Sequence, residues 1–289
     1  MNAEVVEVSR HEMYPDFSAG QLEKLEQLIE SDVAAVGNRT PALNSLLSNA
    51  LRHLGHRCAV DPRGSNGDTW DSLLFATRVG SAVFAVATAE PGTTVTLDLG
   101  ERSVEATATG PEYFTSATNW LTATWLAYAA RDEATIQQLA AVPLDLLRAA
   151  DDTEPEYALA MVDLLGRFAR QESGVAEALN ATLRATDPAG LHPLRRDYVL
   201  KIVVPQLDVF HHLGDAEPEG FNRALAEGLE LHREYWTRTD DEADSPFGFI
   251  ALGLLGLASF AHGTGTPVEV RSDYLPLRVL DGTWVRERG

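Results

Sequence analysis

The sequence predicts a mainly α protein, an antiparallel helical bundle or array with a small β-hairpin insertion at about 93–109. One predominantly helical domain is expected over residues 1–289. Three observations carry this expectation. Apolar residues recur at helical spacing over most of the chain, the connections between these stretches are short, and one isolated segment alternates with period two. No fixed-period self-similarity accompanies them, so a tetratricopeptide-type array is not predicted. The short acidic run at 150–155 is the only candidate boundary. At 289 residues the chain can bury a core without disulfide or metal support.

The elements follow in order. Residues 18–36 place Leu22, Leu25, Leu28, Ile29, Val33 and Val36 on one stripe. Ser18 with Gln21 fits a capping box, and Gly37 suits a stop. Pro41 opens a second helix, with Leu43, Leu46, Leu47, Ala50, Leu51 and Leu54 on one face and Gly55 as its expected end. Residues 58–67 read as a turn-rich loop. Residues 68–89 read as a long buried helix whose Val/Phe-rich end also suits a strand. Residues 93–99 and 102–109 alternate polar and apolar around Gly100-Glu101, a hairpin pattern. A lone hairpin is marginal in water, so this one is expected to lie against helices. Helical patterns resume at 113–131, 132–141, 143–150, 154–170, 175–186, 194–213, 217–237 and 247–261. Pro205 falls inside one of them and should kink or split it. Residues 267–270 read as a short strand, and Tyr274-Leu275-Pro276 as a tail that closes on the body.

Asp plus Glu number 43 and Lys plus Arg 23, for a net charge of −20. That field repels a phosphate backbone and an anionic membrane surface, so neither nucleic acid nor membrane is an expected partner. A basic protein is attracted by it, although the same acidity also serves solubility alone. The most apolar stretches, 79–89 and 247–261, look too short or too broken by glycine to span a membrane. Met1–Val5 show neither a basic segment nor an apolar run, and a cytoplasmic location is expected. Lys24 and Lys201 are the only lysines in an Ala- and Arg-rich chain, the usage of a GC-rich genome.

Chemistry-bearing motifs are sparse. The chain has no phosphate-binding glycine loop, no nucleophile elbow and no His-Glu-x-x-His. With one cysteine and eight histidines in no metal-ligand spacing, no metal and no cofactor are expected, and no enzyme activity is assigned. His53 and His56 near Cys58 suit a helix end, with Cys58 a loop thiol beside Arg57. His211 and His212, flanked by Asp208 and Asp215, form the densest His/carboxylate patch; neighbouring side chains on a helix point about 100° apart and do not easily share an ion. An alternative function, a helical enzyme or small-molecule-binding protein recruited to a biosynthetic or resistance role, would use Trp120, Trp125, His211, His212 and His232 as a ligand pocket. The other candidate site is the segment from Tyr235 to Asp244. There Tyr235 and Trp236 would anchor a protein interface, and Asp240, Asp241, Glu242 and Asp244 would form a rim that steers a basic partner.

The C-terminal third carries a resemblance. Leu231-His232-Arg233-Glu234-Tyr235-Trp236, the acidic run, the apolar stretch from Phe247 to Ala258, and the stretch from Val268 to Pro276 are similar to the immunity 49 family. So are Trp120-Leu121-Thr122-Ala123, Leu126-Ala127, Arg131-Asp132 and Leu139-Ala140-Ala141-Val142-Pro143, which extends the resemblance over most of 113–280. The resemblance implies an immunity protein of a bacterial polymorphic-toxin system, of a kind common in actinobacteria. Such a protein binds and neutralises a cognate toxin in the cytoplasm of the producing cell. A nuclease toxin would present the basic surface that this acidic chain complements.

Overall fold

The computed structural model describes residues 5–150, 153–213 and 218–284. Asp215, residues 1–4 of the N-terminal segment, part of the acidic run at 150–155 and the start of the predicted 217–237 helix lie outside the described residues. Among the described residues the fold is mainly α, with a hairpin and one short strand pair.

Helix α1 (Pro15–Val36) packs along α2 (Ala42–Val60), and α2 lies on α3 (Gly67–Thr88). Strands β2 (Thr94–Leu99) and β3 (Arg102–Thr107) form the antiparallel hairpin, with Leu97 opposite Val104 and Val95 opposite Ala106. Gly100, at φ 82°, takes the turn position that favours glycine. The hairpin buries Leu97, Leu99 and Ala106 and rests on α3 and α1. The centre is α4 (Ala117–Ala130), capped by Ser116, whose hydroxyl accepts from Asn119 N–H at 3.1 Å. Around it lie α3, α5 (Glu133–Ala140), α7 (Glu156–Ala169) and α13 (Leu252–Gly263). Helices α6 (Leu144–Ala150), α8 (Val175–Ala185), α9 (Pro193–Tyr198), α10 (Val204–Leu213) and α11 (Pro218–Trp236) complete the body. The short α12 (Asp240–Ala243), a 3-10 turn Pro246–Gly248 and α14 (Leu277–Leu280) close it. Strand β1 (Val6–Glu7) pairs in parallel with β4 (Val270–Arg271), joining the two ends of the chain.

Several boundaries differ from those the sequence suggests. Helix α1 starts at Pro15, so Ser18 is no cap; it is buried and bonds His56 Nδ1 at 3.1 Å. Gly55 does not end α2. It sits mid-helix where a Cβ would come 2.1 Å from the Pro246 carbonyl oxygen, so glycine is required by close approach. The 58–67 loop is consequently shorter, and Cys58 is a buried helix residue whose thiol is pushed up to about 12 by burial. The Val/Phe-rich end of α3 is helical throughout. Ahead of Pro205 the helix widens into a π-helical turn, Val199–Val203. Proline cannot donate to the carbonyl one turn back, and a local register change absorbs this. The apolar stretch at 247–261 is broken: the 3-10 turn precedes α13, and Ala251 N–H donates to Tyr274 O at 3.1 Å. Gly67–Thr88 and Pro246–Gly263 are long and apolar enough to cross a membrane by length and composition, contrary to the sequence reading. In the fold 61% and 67% of their most apolar windows are buried, as core helices require.

Candidate functional site

The segment from Tyr235 to Asp244 is a corner in which α11 ends and α12 begins. Thr239 opens α12 by accepting from Glu242 N–H at 3.3 Å, so the acidic run is a helical turn and not an extended loop. Asp240, Asp241 and Asp244 are exposed, and none has a cationic partner among the described residues. Glu242 differs. Half-buried, it is bound by Arg238, which also reaches Asp197 at 3.3 Å and lies 3.8 Å above the Tyr235 ring. Tyr235 also meets Tyr198 and Trp236 edge-on at 5.7 and 5.2 Å. The aromatic half of the corner is therefore held rigidly, and three carboxylates project from it.

Trp236 is also one wall of a cavity of about 200 Å³ between α4, α7, the π-helical turn, α11 and the start of α13. Trp125, Tyr157, Tyr198 and Phe247 complete its aromatic lining. Glycines set these walls. A Cβ on Gly248 would come 2.6 Å from the Trp236 ring, and one on Gly253 would come 2.5 Å from the Gln206 amide. A Cβ on Gly256 would press on Trp125 at 3.1 Å. His232, buried on α11, donates from Nε2 to Gly248 O at 3.0 Å, and burial pushes its pKa down to about 4. At neutral pH its ring is uncharged. Lys201 sits at the wall with its charge met by Glu234 at 3.3 Å.

The structure separates the histidines that the sequence groups. His232 lines this cavity together with Trp125. His211 lines a second one of about 360 Å³ between α8, α10 and α11, beside Asp208 and Glu227. His212 contacts the His211 ring at 5.2 Å, approaches Asp208 at 3.9 Å and packs on Gly220. Trp120 faces the core, where its indole N–H donates to Leu139 O at 2.8 Å. His53 bonds Ser72 at 2.8 Å, and burial lowers its pKa. No group of three or more potential metal ligands occurs among the described residues.

Other residues of the site carry no sequence signal. His11, in the N-terminal segment, bonds Ala243 O through Nε2 at 3.0 Å and the Tyr274 hydroxyl through Nδ1 at 2.6 Å. It thereby fastens α12 to the body from the opposite end of the chain. Gln206, Tyr157, Tyr198 and Lys201 join the cavity only because α7, α9, α10 and the π-helical turn converge on α11.

A rigid aromatic corner with projecting carboxylates, next to an aromatic-lined socket, has the geometry of a binding surface. The model of the family described as immunity protein 49 matches residues 61–279, most of the chain. The chain belongs to the immunity protein 49 family. The match extends the sequence resemblance toward the N-terminus to include α3 and the hairpin, while α1 and α2 lie outside it. No curated protein and no solved structure matches the chain.

Proposed function

We propose that this chain is an immunity protein that binds a cognate protein toxin in the cytoplasm of the producing cell and neutralises it by occlusion. Membership of the immunity protein 49 family carries the reading. The net charge of −20 and the unpaired Asp240, Asp241 and Asp244 support a basic toxin surface as the partner. In this reading the three carboxylates steer encounter, and Trp236 with Tyr235 holds the complex once formed.

The test uses the product of the gene immediately upstream, where this reading expects a cognate toxin. Co-expression of the chain should restore growth of cells making that toxin, and the two purified proteins should form a complex. Asp240, Asp241 and Asp244 replaced together by Asn should slow association and flatten its salt dependence, with the thermal midpoint unchanged. Trp236→Ala should mainly speed dissociation, by about 2 kcal/mol for a central anchor. Absence of both protection and complex formation would refute the proposal. Wild-type association kinetics in the triple variant would refute the steering role alone.

A further inference from the structure

The cavity bordered by Trp236 holds polar atoms that the fold leaves without partners. Because His232 Nε2 donates to Gly248 O, its Nδ1 carries a lone pair, to which no described residue donates. The Gln206 side chain, 9% exposed, lies against Gly253 and has no hydrogen-bond partner among the described residues. Trp125 is 5% exposed as a residue, and its indole N–H donates to none of them either. Trp120, on the same helix and equally buried, shows what a structural tryptophan does here: its N–H is satisfied by Leu139 O at 2.8 Å. None of the three atoms is fully enclosed, so each stays open to a water-sized molecule and free to bond an occupant.

The lining defines that occupant. Trp125, Tyr157, Tyr198, Trp236 and Phe247 present aromatic surface, which another aromatic ring complements edge-on or offset. The neutral His232 ring calls for a donor, Trp125 calls for an acceptor, and the Gln206 amide can serve either. A volume of about 200 Å³ lies below the roughly 300–1,000 Å³ of small-molecule sites and suits a single side chain. Trp236 joins the socket directly to the corner that carries the unpaired Asp240, Asp241 and Asp244.

We infer that this cavity is the anchor socket of the toxin interface and receives a tryptophan or tyrosine side chain of the toxin, its N–H or O–H directed at His232 Nδ1 and the Gln206 amide. The inference rests on the immunity reading above. The partner surface it requires is an aromatic knob set in a basic rim.

Two experiments test it. The first needs no toxin. Calorimetric titration of the isolated protein with indole and 4-methylphenol should show binding, while indene and toluene, which keep the ring and lack the donor, should bind at least about tenfold more weakly. Gln206→Leu should weaken 4-methylphenol severalfold. Thr122→Phe, which places a ring at the cavity wall, should abolish probe binding with the circular dichroism spectrum unchanged. The second measures toxin affinity, where Thr122→Phe should raise the Kd more than about tenfold through faster dissociation. Failure of the wild type to bind indole, or equal binding of indole and indene, would overturn the socket. Toxin binding unaffected by Thr122→Phe would overturn the anchor while leaving the immunity reading intact. Indole binding without any toxin binding would remove both and leave a site for a small aromatic ligand.

Discussion

On the Nε2 side of His232 the polar groups close on one another, and on its Nδ1 side they do not. The first side is a network across the chain ends. His11 N–H donates to the Tyr274 hydroxyl at 3.1 Å, which bonds His11 Nδ1 at 2.6 Å, and His11 Nε2 donates to Ala243 O at 3.0 Å. His232 Nε2 donates to Gly248 O at 3.0 Å, with its ring 4.8 Å from that of Tyr274. The second side is the cavity with the unpaired Gln206 and Trp125 groups. Both are buried, and α11 with the turn at 246–248 contributes to both. The difference teaches what burial of polar groups can serve. A saturated network specifies one arrangement of the backbone, whereas polar atoms left open on a cavity stay available to a partner.

The largest expected effect breaks both regions together. Gly55→Ala would place a methyl 2.1 Å from the Pro246 carbonyl oxygen. The turn at 246–248 must then move, and a loss of about 4 kcal/mol or more in urea denaturation is expected. A loss below about 1 kcal/mol would show that this contact does not position the turn.

Acid should attack the saturated side. Burial holds His232 and His56 at about 4 and lowers His11 from its usual value. Below the unfolded value near 6.5 the unfolded chain therefore binds more protons than the folded one. Stability is complete above about pH 6.5 and falls as the pH drops toward about 4. By about pH 5 each of His232 and His56 should have lost about 2 kcal/mol. Denaturation midpoints of wild type and His56→Gln across this range check the sign and one histidine's share. A His56→Gln profile parallel to that of wild type would contradict it.

Two smaller substitutions sharpen the contrast. Tyr274→Phe removes a hydroxyl that serves two groups of His11 and should cost about 2 kcal/mol, because a buried N–H is left unpaired. Gln206→Leu removes an amide that no described residue pairs with, and should stay within about 1 kcal/mol of wild type or stabilise it. Equal losses in the two variants would show that the cavity amide is satisfied after all.

Local pattern made much of the fold legible. The period change at Thr93 and its reversal after Pro111 locate the hairpin, and Gly100 acts as the turn residue the pattern suggests. Pro205 marks a helix irregularity, realised as the π-helical turn just before it. Gly55 shows the limit. As a sequence signal it resembles a helix stop, yet it answers to a carbonyl far along the chain, at Pro246. Trp120 and Trp125 share one helix and one pattern, but one indole is spent on Leu139 O and the other opens on the cavity. Within the candidate corner the sequence places Tyr235, Trp236 and the acids together because they are neighbours in the chain. It does not tell that Glu242 is claimed by Arg238 while Asp240, Asp241 and Asp244 are not.

The sequence by itself determined the mainly α class, the hairpin, the family resemblance and the meeting of aromatic and acidic residues at one corner. All of these follow from residues close together in the chain, where periodicity and turn chemistry act. Only the tertiary structure decided which apolar faces meet, and hence the socket bordered by Trp236 and the clasp of His11 on Ala243 and Tyr274, partners 232 and 263 positions away. Periodicity reports that a helix has a buried face. Which helix covers that face, and which polar atoms are left open there, depends on close approaches such as Gly248 to Trp236 and Gly253 to Gln206, which no local pattern encodes.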